Sequence, residues 1–332
     1  MFENKNAALI AIILSIMVAV AGAGKLMEPR IENRPVPIQE GAVPQLPEEL
    51  KAEEKGEPVL RVYISEEDRV EDMAFEEYIK GVVAGEMKPD WPEEALAAQA
   101  IIARSFTLQK IKEKGGVPEK NAHASTDIEE FQAYDADSIT RQVKEAVDKT
   151  RGQVAVHQGN FIRGWFHAYA GPRTAQADEG LAFEGPNPPY IHVVKSPGSQ
   201  MVPPEEGIWE ESFNLEEVRH AVKEQRGNDP GPVEQFEIAQ KGPSGRVTLF
   251  KVNDVQVSAP DLRIALGSTR MRSTYIEEMN MEGEKVIFEG KGFGHGVGMC
   301  QWGARAQAEE GLSAEEIVKY FYRDVEVVKL WE

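Results

Sequence analysis

The stretch GKGFGHGVGMCQWGA, Gly290 to Ala304, places glycine at 290, 292, 294, 296 and 298 with His295 inside the alternation. Glycine costs backbone entropy and gives a strand or helix interior nothing to pack, so this is no ordinary regular element. Two explanations are open. Something such as a polymer lying in a groove approaches the backbone closely, or the glycines permit positive φ in a bulged or bent β segment. Working outward, strand character at Val286 to Glu289 leads in, and Ser313 with Glu316 forms a capping-box pair ahead of Ile317, Val318, Tyr320 and Phe321. A last strand is expected over Val325 to Leu330. Upstream, Arg246 to Val257 reads as strand, and Ser258-Ala-Pro-Asp261 opens a short helix that Gly267 ends in a left-handed conformation.

Further upstream, Gly185 to Pro204 is proline-rich and expected to be loop, while Gln153 to His157 and Phe161 to Tyr169, joined by Gln158-Gly159-Asn160, read as a hairpin. Glu76 to Lys114 reads helical apart from a break at Lys88-Pro89-Asp90, and its second half is opened by Pro92 with Glu93 and Glu94 in the first turn. Order is expected from Val59, where VLRVYI alternates. Strands and helices mix without a regular βαβ rhythm, so the fold class is α+β: a single mixed globular unit over 59–332, or two lobes with a groove between them.

Composition narrows the function. With 332 residues and a formal charge of −19, the surface repels phosphate backbones, which disfavours nucleic acid. One cysteine, Cys300, excludes an intramolecular disulfide framework and any zinc site built on several thiolates. Ala7 to Gly24 is uncharged, with Lys5 before it and Lys25 after it. The run exceeds a typical signal-peptide core, so residues 1–25 are read as a transmembrane signal anchor. A cleaved signal peptide with Ala19-Val20-Ala21 as its site is the alternative. Lys25, Arg30 and Arg34 outnumber Lys5, so charge alone does not orient the anchor. Residues 26–58, with Pro29, Pro35, Pro37, Pro44 and Pro47 among many glutamates, read as an extended, solvated linker.

Glu86 is the acid that stands out. It follows the apolar positions Ile79, Val82 and Val83 just before the break at Pro89, where partial desolvation would raise its pKa and suit it to proton donation near neutral pH. The plain alternative is one more solvated glutamate in a chain with 56 acidic residues.

Two segments together resemble the family of stage II sporulation protein D and the amidase-enhancer domains of bacterial cell-wall proteins. The first comprises Tyr78, Gly81-Val82-Val83, Gly85-Glu86-Met87, Trp91-Pro92, Glu94-Ala95-Leu96, Ala98-Gln99-Ala100 and Ala103-Arg104; the second is GFGHGVGMCQWGA. Weaker echoes include Gln132 with Tyr134 and Thr150-Arg151-Gly152. The resemblance runs from about Val59 to Trp331. It implies an extracytoplasmic lytic transglycosylase cleaving MurNAc–GlcNAc bonds of peptidoglycan glycan strands, preferably stripped of stem peptides, with Glu86 as acid and then base. It further implies glycan contacts from Trp91, Gln99, Arg104, Gly171, Thr174, Phe293, His295, Gln301 and Trp302. His295 would form groove wall or bond a sugar, with a loop-holding histidine as the alternative; Cys300 reads as a small packing residue. No cofactor is expected. The expected partners are glycan strands, a cell-wall amidase on the same substrate and, through the N-terminal helix, the membrane: a single-pass protein with its C-terminal domain on the wall side.

Two departures from the family pattern matter. Some members carry a histidine–cysteine zinc loop; here His123 is followed by Asp127-Ile-Glu-Glu-Phe131 without thiolates, and no metal is expected. The family's serine-rich turn is replaced by Phe166-His-Ala-Tyr-Ala-Gly-Pro-Arg-Thr174, in which His167 either supplies a hydrogen bond or is an ordinary strand residue. A non-catalytic glycan-binding enhancer of an amidase is therefore the competing reading, and a membrane-tethered assembly scaffold the third.

Overall fold

The centre of the fold is a 22-residue helix, α2 (Glu93–Lys114). Its alanines 95, 97, 98, 100 and 103 are all buried, and a helix apolar on every side belongs in an interior. Small side chains let neighbours close in: helix α1 (Phe75–Glu86), the helices Arg141–Lys149, Gln301–Glu309 and Ala314–Phe321, and the strand Gln153–His157 all pack on it. Glu93 and Glu94 sit in the first turn, Lys112 and Lys114 in the last, and Gly115 at φ 72 ends the helix by donating its N–H to Ile111.

The computed structural model describes residues 43–52 and 56–332, which fall in one unit, Gln39–Glu332. The strand Pro58–Ile64 pairs antiparallel with Arg69–Ala74 and parallel with Ala124–Ser125, and α1 begins directly after the hairpin. Lys51–Ala52 adds a short antiparallel edge, and Pro44, Pro47 and Leu50 are buried. Part of the stretch read as solvated linker therefore packs onto the fold before Val59. The expected anchor, residues 1–25, lies outside the described residues; among those described, no helix is long and apolar enough to cross a membrane.

Two hydrophobic cores form. The first gathers residues from Leu50 to Ile191 and again from Val297 to Trp331; the second runs from Trp209 to Phe288. The second is thus an insertion that leaves the first lobe after residue 207 and returns through the glycine segment. Its strands Ile208–Asn214, Lys285–Lys291 and Ile276–Glu282 form one antiparallel sheet, and Phe236–Lys241, Val247–Val252 and Val255–Ser258 another. Phe213, Phe236, Phe250 and Phe288 meet edge to face at 5.2–6.0 Å between them.

Local expectations are corrected in places. The strand expected over Arg246 to Val257 is a hairpin, broken at Asn253 with φ 51. The expected second arm Phe161 to Tyr169 stops at Phe161, because Gly164 presses against the α2 backbone and Phe166–His167 goes on to pair parallel with Met299–Cys300. The short helix Ala259–Ala265, capped by Ser258, the Ser313–Glu316 capping box and a final strand, Glu326–Lys329, form as their residues dictate.

Candidate active site

Glu86 is the last residue of α1, and two glycines explain what reaches it. Gly81 and Gly85, one turn apart on one helix face, leave a furrow in which residues 132–135 lie. A Cβ on Gly81 would overlap the Tyr134 ring, and one on Gly85 would stand 2.8 Å from the Tyr134 nitrogen. The close fit lets Asp135 N–H donate to the Gly81 carbonyl at 3.0 Å and Ala133 N–H donate to Glu86 Oε1 at 2.7 Å. Tyr134 stacks on Tyr78 at 5.8 Å, and Gln132 Nε2 donates to Thr107 at 3.1 Å, which anchors the segment.

Behind the carboxylate, Gln301 Nε2 lies 3.5 Å from Glu86 Oε2 and 3.5 Å from Gln99 Oε1. Burial pushes the Glu86 carboxyl up to about 7, against the opposing pull of the Ala133 N–H and the Gln301 amide. Glu86 faces a cleft of about 320 Å³ with an aromatic wall of Phe106, Phe131, Trp165 and Phe166, lined also by the exposed Ile128, Gln132, His167 and His295. Among the described lining residues Glu86 is the sole acid.

The two imidazoles bond the backbone of one residue, Val297. His295 Nδ1 accepts the Val297 N–H at 3.0 Å, while His167 Nδ1 lies 3.2 Å from the Val297 carbonyl and donates to it. Opposite tautomers follow. Burial, with Arg263 and Arg246 nearby, pushes His295 down to about 3. Burial, with His295 and Arg246, holds His167 well below the histidine range. Both rings are therefore neutral at physiological pH.

The remaining sequence-nominated residues scatter. Gln99 is fully buried and meets the site only through Gln301. Arg104 is not in the cleft: it is 0% exposed, ion-paired with Glu76 at 2.6 Å and bonded to the Val147 carbonyl at 2.9 Å. The expected glycan contact is corrected, because every direction of its guanidinium faces protein. Trp91 and Trp302 pack against each other at 4.8 Å, both nearly buried, with Lys88 and Arg305 over the Trp302 ring. Thr174 spends its hydroxyl on His192 and Val194, Gly171 is buried at φ 69, and Phe293 bridges Tyr169 through backbone bonds. None of these five lines the cleft as described.

The glycine alternation also resolves. Gly292, Gly294, Gly296 and Gly298 all take positive φ, as the second explanation requires, and what approaches the segment is the chain itself: the Trp209 ring at Gly290, the Tyr169 carbonyl at Gly292, Arg246 at Gly296 and the Trp165 carbonyl at Gly298. The cleft at Glu86 takes its described walls from the first lobe and the return segment. Cys300 caps the helix Gln301–Glu309, its sulfur accepting N–H bonds from Gly303 and Ala170 at 3.4 Å, and burial pushes the thiol up. It is a packing residue.

His123 does not fit a zinc ligand, since its Nδ1 accepts the Arg61 N–H at 3.1 Å and Asp127 Oδ1 is occupied by Glu129 N–H. Among the described residues no group of three His, Cys, Asp or Glu side chains is placed to hold a metal. The aromatic wall was missed in the sequence because its members come from three segments with no shared motif.

The fold and site define an α+β protein with one proton-competent carboxyl in an aromatic-walled cleft. Residues 63–157 match the family described as stage II sporulation protein, and residues 207–298, the insertion, match a domain of unknown function, DUF8618. An uncharacterized protein of Brachyspira hyodysenteriae is 31% identical over 78% of this chain and 68% of its own length. Stage II sporulation protein D of Bacillus subtilis is 28% identical, covering 82% of this chain and 80% of that protein. The amidase enhancer of Bacillus subtilis is 26% identical over 74% of this chain, which spans 39% of it. The chain belongs to the stage II sporulation protein D (SpoIID) family, a family linked to cell-wall remodelling.

Proposed function

We propose that the protein is a peptidoglycan lytic transglycosylase that cleaves MurNAc–GlcNAc bonds, preferably in strands stripped of stem peptides. The observation that carries the reading is Glu86, a carboxyl with a pKa of about 7 facing a cleft in which no other described lining residue is an acid. Ordinary glycosidases use two carboxylates, one of them to activate water or attack the sugar. A single acid suffices when the nucleophile is the muramic C6 hydroxyl. Glu86 gives its proton to the glycosidic oxygen as the C1–O bond breaks. Its carboxylate then takes the C6 hydroxyl proton as the O6–C1 bond closes the anhydro ring. No water is consumed and Glu86 ends protonated.

Of its two oxygens, Oε1 is held by the 2.7 Å Ala133 bond, whereas Oε2 meets only the Gln301 amide at 3.5 Å. The mobile proton belongs on Oε2. The aromatic wall offers apolar faces to sugar rings, and neutral His167, whose Nε2 has no partner among the described residues, offers a hydrogen-bond acceptor without adding charge. Placement on the wall side of the membrane, anchored by residues 1–25, and cooperation with an amidase that strips the stem peptides belong to the same proposal.

A second reading, a non-catalytic enhancer of an amidase, draws on the amidase-enhancer relative and on Ala168 and Ala170 in the turn beside the cleft. Mass spectrometry of peptide-free glycan strands separates the two. Anhydro-muramic ends made by the native protein and not by Glu86→Gln support the enzyme; strand binding with no product supports the enhancer.

A further inference from the structure

We propose that the inserted lobe, residues 208–291, is a positioning element of the cleft, and that Arg246 is the positioning residue through which it acts on His295 and His167. None of the described lining residues belongs to the insertion, so any influence it has on the cleft must pass through the joint between the lobes. That joint is an exchange of buried charges. Arg246, at the start of the strand Val247–Val252, is 0% exposed and reaches out of its own lobe. Its Nη1 donates to the Arg173 carbonyl at 2.8 Å, and its Nη2 donates to the Ala170 carbonyl.

In return, Glu179 of the first lobe, 1% exposed, reaches the insertion and accepts the Ser244 N–H at 2.9 Å and the Ser244 hydroxyl. Ser244 Oγ in turn lies 3.2 Å from Arg246 Nη1, closing the loop of contacts. Buried charges persist only where such bonds satisfy them.

Gly296 supplies the seat. A Cβ at this position would overlap the Arg246 guanidinium, and its φ of 83 already excludes most side chains. One guanidinium thus ties the segment carrying His167 to the segment carrying His295. The charged and titratable groups around these rings are Arg246, Arg263 and the other imidazole at 5.6 Å, with Glu86 on the same cleft. Arg246 disfavours imidazolium at both rings, and Arg263 does so at His295. A neutral ring keeps Nδ1 of His295 free to accept the Val297 N–H, whereas protonation there would break that bond and release the loop.

The test is a histidine NMR titration of the whole protein beside Arg246→Met and Arg246→Lys. It reads the coupling whether or not the cleft cleaves glycan, so its failure is distinct from failure of the enzymatic reading. The native His295 signal should stay neutral to about pH 3. In Arg246→Met its midpoint should rise, while burial and Arg263 keep it below the ordinary value of about 6.5, with loss of the bonded Val297 N–H signal, and Arg246→Lys should restore the low value. An unchanged midpoint in Arg246→Met, with only a lowered Tm, overturns the proposal. Should that variant fail to fold, Ser244→Ala loosens the same seat more gently; a smaller upward move supports the coupling and none refutes it.

Discussion

Two glutamates on α1, one in its first turn and one at its last residue, have opposite surroundings. Glu76, 1% exposed, accepts from Arg104 at 2.6–3.1 Å, from Gly152 N–H at 2.9 Å and from the Trp331 indole at 2.9 Å. It sits where the helix dipole welcomes an anion. Glu86 sits at the end where the dipole opposes one, with a single backbone N–H and a slack amide at 3.5 Å. Among the described residues no ion pair involves it. A saturated carboxylate is a structural tie, and an under-provided one is held near its protonation midpoint. The number and charge of the donors separate the two roles, not residue type or helix.

The widest gap between the two should appear in turnover. Glu86→Gln is expected to lower anhydro-product formation by about 10²–10⁴-fold with folding intact by circular dichroism. Glu76→Ala should act on stability instead. It leaves the Arg104 guanidinium buried without its partner, costing about 3–5 kcal/mol in denaturant titration. A fully stable, inactive Glu76→Ala would break the comparison. Gly81→Ala should come next, since its methyl group displaces Tyr134 and with it the Ala133 N–H. A loss of about 1–3 kcal/mol should accompany reduced turnover, and unchanged values for both would show that the furrow is not needed.

The smallest effect is a stability difference that depends on pH. The native Glu86 pKa of about 7 lies above the ordinary 4.5, so the folded state binds more protons between these values and native stability falls as pH rises through them. Glu86→Gln should therefore be more stable than the native protein by about 1–3 kcal/mol at pH 8 and nearly equal to it at pH 4. Equal stabilities at both pH values would mean that Glu86 is not desolvated.

Much of this architecture is legible in the chain. The break between α1 and α2, the charges at the ends of α2 and the Ser258 and Ser313 caps are local signals, readable over a few residues. Glu86 stands out because its apolar neighbours on α1 and the break that follows lie within a few residues of it. Arg104 misleads because its fate rests on Glu76, 28 positions upstream, and periodicity does not reveal that pairing. The aromatic wall draws Phe106, Phe131 and the adjacent pair Trp165 and Phe166 from three separate stretches, and only the packed fold joins them. The glycines at 290–298 announce close approach correctly but not what approaches, since a guanidinium and a neighbouring carbonyl impose the same demand as a bound polymer.

The central claim is that Glu86 is a protonatable acid near neutral pH, and the most direct test is carboxyl ¹³C NMR of glutamate-labelled native protein against Glu86→Gln. The resonance missing from the variant should titrate with a midpoint close to 7. A midpoint at the ordinary glutamate value of about 4.5 would contradict the account, leaving Glu86 a plain surface carboxylate.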